Sequence, residues 1–382
     1  MGFHEFSSPY DWSRIAAYKR TAKAAFGGMI DLSVGSPVDP VPDSVRKALA
    51  VAANDPNAYG YPATAGTADL RAAIAEWFSA ARNVDLQAIH ADVVPTVGSK
   101  EGVALMASLL HFGEDDVVVQ PKVSYPTYEI GTQLAGAQVL KVDDVADVAS
   151  WRNVPGVKAV WVNSPCNPTG EVYSAERMAG IAAAAREIGA VVLSDECYAL
   201  MQWRGATNSA DDDPLQSTPC ALRSDVCAGS AEGVLVLYSL SKQSNMAGYR
   251  TAFIAGDESL IASMSAYRKQ IGQIIPGPVQ AAMAAGLRDL ESVKVQHARY
   301  RERLGVLVSA LRAYGYCTDM PDGALYVWVR AKSGDCWTDM EQLAKIGIIA
   351  SPGEFYGAPE CLRFSATASD EAIASAAERL AR

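Results

Sequence analysis

Between residues 91 and 256 the chain alternates short apolar runs with longer stretches in which apolar residues recur every three or four positions. DVVPTV precedes SKEGVALMASLL, DDVVVQ precedes YPTYEIGTQLAG, and VKAVWVN precedes SAERMAGIAAAAREIG; AVVLSDE, GVLVLYSLS and RTAFIAG follow. Short β-branched runs without alternation are strands buried on both faces, and the periodic stretches are amphipathic helices. The pattern predicts a mostly parallel, doubly wound sheet with helices on both sides. Ahead of it, PDSVRKALAVAAN and TADLRAAIAEWFSAA predict two helices, each opened by Asp, Ser or Thr in a position to cap it. Behind it, the stretches from PGPVQAAMAAGLRDLESVKVQ to RERLGVLVSALRAYG predict long helices, and ALYVWV, IGIIAS and CLRFSA predict strands.

The expected architecture is therefore α/β: a large doubly wound sheet domain over residues 44–278, and a smaller α+β domain from residues 279–382 joined by an N-terminal arm, residues 1–43. The boundary is expected between residues 276 and 280. Within the arm, MIDLSVGSPVDPVP predicts a short strand that breaks into a proline-rich turn. The polar stretch 206–233, ATNSADDDPLQSTPCALRSDVCAGSAEG, is longer than an ordinary connection and predicts a surface excursion.

Composition narrows the function. At 382 residues and 49% hydrophobic content the chain can fill two cores. Its 33 Lys+Arg against 43 Asp+Glu give a formal charge of −10, which repels nucleic acid and anionic membrane surfaces. No 18-residue apolar run occurs, and MGFHEFSSPYDW has neither the basic nor the apolar part of a signal peptide, so a cytoplasmic location is expected. The seven cysteines are odd in number and form no C-x-x-C pair, so neither a disulfide framework nor a metal site is expected.

In open parallel sheets ligands collect beyond the carboxyl ends of the strands. Gly98-Ser99-Lys100 follows DVVPTV, Tyr125 comes soon after DDVVVQ, and Asn167 follows VKAVWVN. Asp195 and Tyr198 end the AVVL run, and Ser239, Ser241 and Lys242 follow GVLVLY. Backbone amides at a helix start, several hydroxyls and Arg250 suit a phosphate dianion. A carboxylate and an amine in the same pocket complete the needs of pyridoxal 5′-phosphate (PLP), which forms a Schiff base with lysine and keeps its ring nitrogen protonated beside an acid. Lys242 and Asp195 are the candidates. No G-x-G-x-x-G follows a predicted strand, which argues against a nicotinamide dinucleotide.

The runs NSPCNPTG at 163–170, SDECY at 194–198 and YSLSKQSNMAGYR at 238–250 resemble the signature set of the class I/II aminotransferases, the PLP-dependent transferases of fold type I. The resemblance covers essentially the whole chain in family order. It implies that Lys242 is the Schiff-base lysine and proton carrier, with Asp195 on the ring nitrogen, Asn167 and Tyr198 on the ring oxygen, and Tyr125 stacked on the ring. Ser99, Lys100, Ser239, Ser241 and Arg250 would hold the phosphate. Arg363 would grip the substrate α-carboxylate, with Gly35 and Asn167 beside it. Tyr61 matches a tyrosine that crosses a dimer interface to the neighbouring phosphate, so a homodimer is expected.

Finer features, including GYPATAGTADLR, PGPVQAAM and SPGEFYG, are similar to N-succinyldiaminopimelate aminotransferases of lysine and diaminopimelate biosynthesis. That resemblance implies small-molecule amino acid and 2-oxo acid substrates: glutamate and N-succinyl-2-amino-6-oxopimelate. For the distal carboxylate or succinyl arm, Arg14 and the 205–233 stretch are the candidates. The same residues would also serve an aminotransferase of another amino acid or a β-lyase.

Overall fold

A computed structural model describes residues 10–56, 58–203 and 218–382. Among them the strands are β1 (Ile30–Asp31), β2 (Ala91–Val97), β3 (Val117–Pro121), β4 (Gln138–Val142), β5 (Val157–Asn163), β6 (Val191–Asp195), β7 (Val234–Ser239), β8 (Thr251–Asp257), β9 (Tyr326–Arg330), β10 (Ile348–Ile349), β11 (Ser351–Pro352) and β12 (Cys361–Ser365). Seven of these make one sheet in the order β2-β8-β7-β6-β5-β3-β4. Only β8 runs against its neighbours, so β2 to β7 all point their carboxyl ends the same way. The start of β8 lies at that same edge, where Thr251 pairs with Val97 and Ala252 with Ser239.

The apolar runs form this sheet because both of its faces are covered. Val160 and Val162 of β5 pack into one core with Trp77, Phe78 and Phe253. Ala159 and Trp161 point the other way, into a second core with Val118, Tyr128 and Ile254. This period of two is the strand geometry, and burial on both sides removes the polar alternation that a half-exposed strand would show. Register then fixes the chemistry: Asn163 lies beside Asp195, and Asp195 beside Leu237.

The second region holds the antiparallel sheet β11-β12-β9 and the parallel pair β1-β10. Helices Leu290–Ala313, Cys336–Lys345 and Asp370–Leu380 contribute to its core through Leu304, Leu307, Met340, Leu343 and Ile373. The two cores do not divide between residues 276 and 280. Met283 and Leu287 belong to the first, because helix Gly277–Arg288 lies against helices Asp43–Ala53 and Ala68–Arg82, and so does Val293 in the first turn of the helix that follows. Tyr198, Met201 and Trp203 belong to the second.

The predicted surface excursion needs a similar correction. Residues 204–217 lie outside the described residues, but Thr218, Cys220 and Leu222 are fully buried. Arg82 holds this segment from inside, donating to the carbonyls of Thr218 at 2.8 Å and Pro219 at 3.3 Å.

Candidate active site

A cavity of about 370 Å³ lies at the carboxyl edge of the large sheet. Ser99, Lys100, Tyr125, Asn167, Asp195, Tyr198, Ser239, Ser241, Lys242 and Arg250 line it from that side. Gly35 and Arg363 face them from the turn after β1 and from β12. Of the residues singled out in the sequence, Tyr61 and Arg14 are not among its walls. Tyr61 is fully exposed. Arg14 donates to Glu354 at 2.6 Å and stacks 4.5 Å over Trp337, so its charge is already matched.

One end of the cavity is an anion cradle. Helix Ser99–Leu109 begins there after Gly98, whose φ of +78° favours glycine. A Cβ at Gly98 would collide with the guanidinium of Arg250. Arg250 itself sits in the left-handed region at φ +57° and donates to the carbonyl of Ala247 at 2.7 Å. A non-glycine residue held there costs free energy and is characteristic of sites where the side chain must point one way. Ser239 Oγ, 2.8 Å from Ser241 Oγ, completes a ring of donors around the helix start.

The centre holds an acid and an amine. Asp195 is buried at 6% exposure and accepts from the Tyr128 hydroxyl at 2.7 Å and the Cys197 amide at 3.1 Å. Burial pushes its carboxyl up against the pull of those hydrogen bonds. Lys242 follows β7 in the short helix Leu240–Gln243 and donates to the carbonyl of Gly35. Burial lowers its ammonium, Tyr326 opposes that, and the charges of Arg363 and Arg250 lower it further.

The far wall belongs to Arg363. Its guanidinium donates to Asn167 Oδ1 at 2.6 Å and to the carbonyl of Ser33 at 2.8 Å, while Nε has no partner among the described residues. Tyr326 and Tyr356 flank it with ring centroids 3.9 and 4.7 Å away. Its hydrogen-bond partners among the described residues are all neutral, so a buried cation faces the cavity without an anion from them. Asn167 accepts from Arg363 at Oδ1 and keeps its NH₂ for the cavity.

Sequence reading missed Tyr10, Trp12, Cys197, Tyr326 and Tyr356, which also line the cavity. The arm offered one signal, aromatic residues in a stretch without period. Tyr326 offered none, since ALYVWV reads as an ordinary buried strand.

Comparison with known proteins adds a family to this geometry. The profile described as Aminotransferase class I and II matches residues 27–380. The chain is 40% identical to the 4-dedimethylamino-4-oxo-anhydrotetracycline transaminase OxyQ of Streptomyces rimosus, over 97% of this chain and 98% of that protein. It is 30% identical to an LL-diaminopimelate aminotransferase of Dehalococcoides mccartyi, over 98% and 96%. Among solved structures, a probable N-succinyldiaminopimelate aminotransferase of Thermus thermophilus superposes with a TM-score of 0.84 at 27% identity, over 98% of this chain and 99% of that one.

Proposed function

The chain belongs to the class I and II aminotransferases, a PLP-dependent family, and on that premise we propose that it moves an amino group between glutamate and N-succinyl-2-amino-6-oxopimelate in the cytoplasm, for diaminopimelate and lysine biosynthesis. One observation carries the reading. A single cavity holds a buried carboxylate, Asp195, and a buried guanidinium, Arg363, neither ion-paired among the described residues, and a desolvated amine, Lys242. Each is costly alone and is relieved by a ligand of the opposite kind. The residues present fit PLP: Asp195 for the ring nitrogen, Tyr198 and Asn167 for the ring oxygen, Tyr125 for the ring face. Gly98, Ser99, Lys100, Ser239, Ser241 and Arg250 form the phosphate cradle.

When bound, PLP supplies an electron sink for the bonds of the substrate α-carbon. The chain supplies the rest. Arg363 takes the α-carboxylate in a two-pronged hydrogen bond and Gly35 closes over it, which fixes the α-carbon near Lys242. Burial and nearby cations favour neutral Lys242, so its amine can take a proton from the α-carbon and give it back in the reverse half-reaction. Asp195 keeps its partner proton in place throughout. Two substrates using one site in turn give ping-pong kinetics.

Arg14 is withdrawn as the distal group, because Glu354 neutralises it. Lys100 takes its place. Its ammonium stands 5.6 Å over the Tyr10 ring at the cavity wall and makes no ion pair among the described residues. The likeness to the Thermus protein supports an acidic, extended acceptor. A second reading has its own support: the 40% likeness to a tetracycline-pathway transaminase, together with the walls Tyr10, Trp12, Tyr326 and Tyr356, favours an aromatic keto acceptor.

Exposed Tyr61 fits a homodimer in which each copy completes its neighbour's phosphate site. A steady-state panel with glutamate as donor tests the substrate. The highest kcat/KM is expected for the succinylated oxopimelate; preference for a polycyclic aromatic ketone would select the second reading, and ammonia release without 2-oxoglutarate would defeat transamination.

A further inference from the structure

We propose that Tyr326 on β9 is a positioning residue for both halves of the site: its hydroxyl sets the hydrogen bond that Tyr198 offers the cofactor, and its ring face sets the guanidinium of Arg363. The inference rests on the roles given above to Tyr198 and Arg363 and extends them to a residue that carries none of the site motifs.

Three contacts place Tyr326 there. Its hydroxyl lies 2.6 Å from that of Tyr198, with the rings edge to face. Its ring centroid lies 3.9 Å from the Arg363 guanidinium carbon. Its hydroxyl also occupies the space a Cβ at Gly35 would take, so the turn that carries Gly35 can close only on glycine. Strand register explains the reach. Tyr326 pairs with Ser365 and Trp328 with Arg363, which makes Tyr326 and Arg363 diagonal neighbours on β9 and β12. One side chain, 2% exposed, therefore touches Arg363 of β12, Tyr198 just after β6 and the turn after β1.

The two contacts do different work. Burial, reinforced by Tyr326, keeps the Tyr198 hydroxyl protonated far above its ordinary range, so Tyr198 can act as a donor to the cavity. A Tyr326 hydroxyl that donates to the Tyr198 oxygen polarises that donor and strengthens its hydrogen bond onward. The ring face meanwhile holds a cation that has no carboxylate partner among the described residues, by attraction to its π electrons, without neutralising it. An acidic side chain in place of Tyr326 would fix Arg363 more firmly but would compete with the substrate.

The two roles separate experimentally. In the holoenzyme, the visible absorption of bound PLP is titrated with pH for wild type, Tyr326→Phe, Tyr198→Phe and the double variant. Affinity for maleate, a dicarboxylate that cannot react, is read from the same spectra. Loss of the Tyr326 hydroxyl leaves more negative charge on the ring oxygen and raises the proton affinity of the base beside it. The midpoint is expected to rise by about 0.5–1 unit, the size of one neutral hydrogen bond. Maleate affinity is expected to stay within about twofold in Tyr326→Phe and to fall roughly threefold to tenfold in Tyr326→Leu, which removes the ring. The double variant should titrate like Tyr198→Phe alone. An unmoved midpoint in Tyr326→Phe beside a shifted one in Tyr198→Phe, or additive shifts in the double variant, overturns the proposal and leaves the role of Tyr198 standing. A Tyr198→Phe midpoint equal to wild type overturns that role as well. If Tyr326→Leu does not fold, Tyr326→Phe, which keeps the ring, decides the hydroxyl's part alone.

Discussion

Arg82 and Arg363 are both buried, at 1% and 4% exposure, and their surroundings are opposite. Arg82 meets the carboxylate of Glu196 at 2.5 Å and donates through its terminal nitrogens to two carbonyls of the segment after residue 217. Glu196 in turn accepts from the Ser194 hydroxyl at 3.0 Å and the Ala221 amide at 2.8 Å. None of these residues lines the cavity. Arg363, across the site, has only neutral hydrogen-bond partners among the described residues, so the carboxylate is what separates the two; the Nε of each lacks a partner among those residues. The contrast repeats in the acids, because Glu196 is ion-paired and its neighbour Asp195, among the described residues, is not. A buried charge with a partner holds the chain together; a buried charge without one is kept for a ligand.

Removing one side of each arrangement separates the two. Arg82→Met strands Glu196 and is expected to cost about 3–5 kcal/mol of unfolding free energy. The KM of the protein that remains folded should not change, and denaturant titration beside steady-state kinetics checks both. Arg363→Lys keeps the charge and loses the fork. A loss of roughly 10²–10³ in kcat/KM in both half-reactions is expected, with less than half the stability loss of Arg82→Met. Equal stability losses in the two variants would erase the distinction.

Arg250→Ala removes a charged donor from the cradle and should weaken PLP retention by about 1.5–3 kcal/mol, read by dialysis and absorbance. Unchanged retention would move the phosphate elsewhere.

Asp39 tests the paired class by pH. Burial alone would raise its carboxyl, but hydrogen bonds from Arg303 and Gln296 outweigh that and hold it below the usual range. A carboxyl depressed in the folded state contributes stability that is present above its unfolded pKa of about 4 and lost as pH falls through the folded value. The stability gap between wild type and Asp39→Asn should therefore narrow on acidification below about pH 4. A gap that stays constant would show that the carboxylate's charge is not what matters. Smallest of all, Arg14→Ala breaks a half-exposed pair and should cost under about 1 kcal/mol, with no change in KM for acidic acceptors.

The two halves of the cavity were unequally readable in the sequence. The half proposed to hold the cofactor comes from strand ends of one sheet, and a strand buried on both faces announces itself as an apolar run. The next polar residues, Ser99, Asn167, Asp195 and Lys242, are then at one edge by topology alone. The opposite half, proposed to take the substrate, is assembled from the arm, the turn after β1, β9, β12 and the segment leading into β12. Tyr326, Tyr356, Tyr10 and Trp12 arrive there through contacts made by distant segments, and an aromatic residue in a strand or arm looks the same whether it fills a core or a wall. Burial of residues 218–222 was hidden for the same reason. It depends on Arg82, 136 positions before Thr218, and local polarity reads as surface when its partner is that far away. The division between cores fails near residue 277 because helix Gly277–Arg288 carries apolar residues that fit either core, and only its contact with helices Asp43–Ala53 and Ala68–Arg82 decides.

Borohydride reduction of the holoenzyme followed by peptide mapping tests most directly whether this cavity is built around PLP with Lys242 at its centre. Stoichiometric cofactor on the peptide containing Lys242, and none in Lys242→Ala, is the expected result. Stable attachment at another lysine, or full labelling of the Lys242→Ala protein, would contradict it.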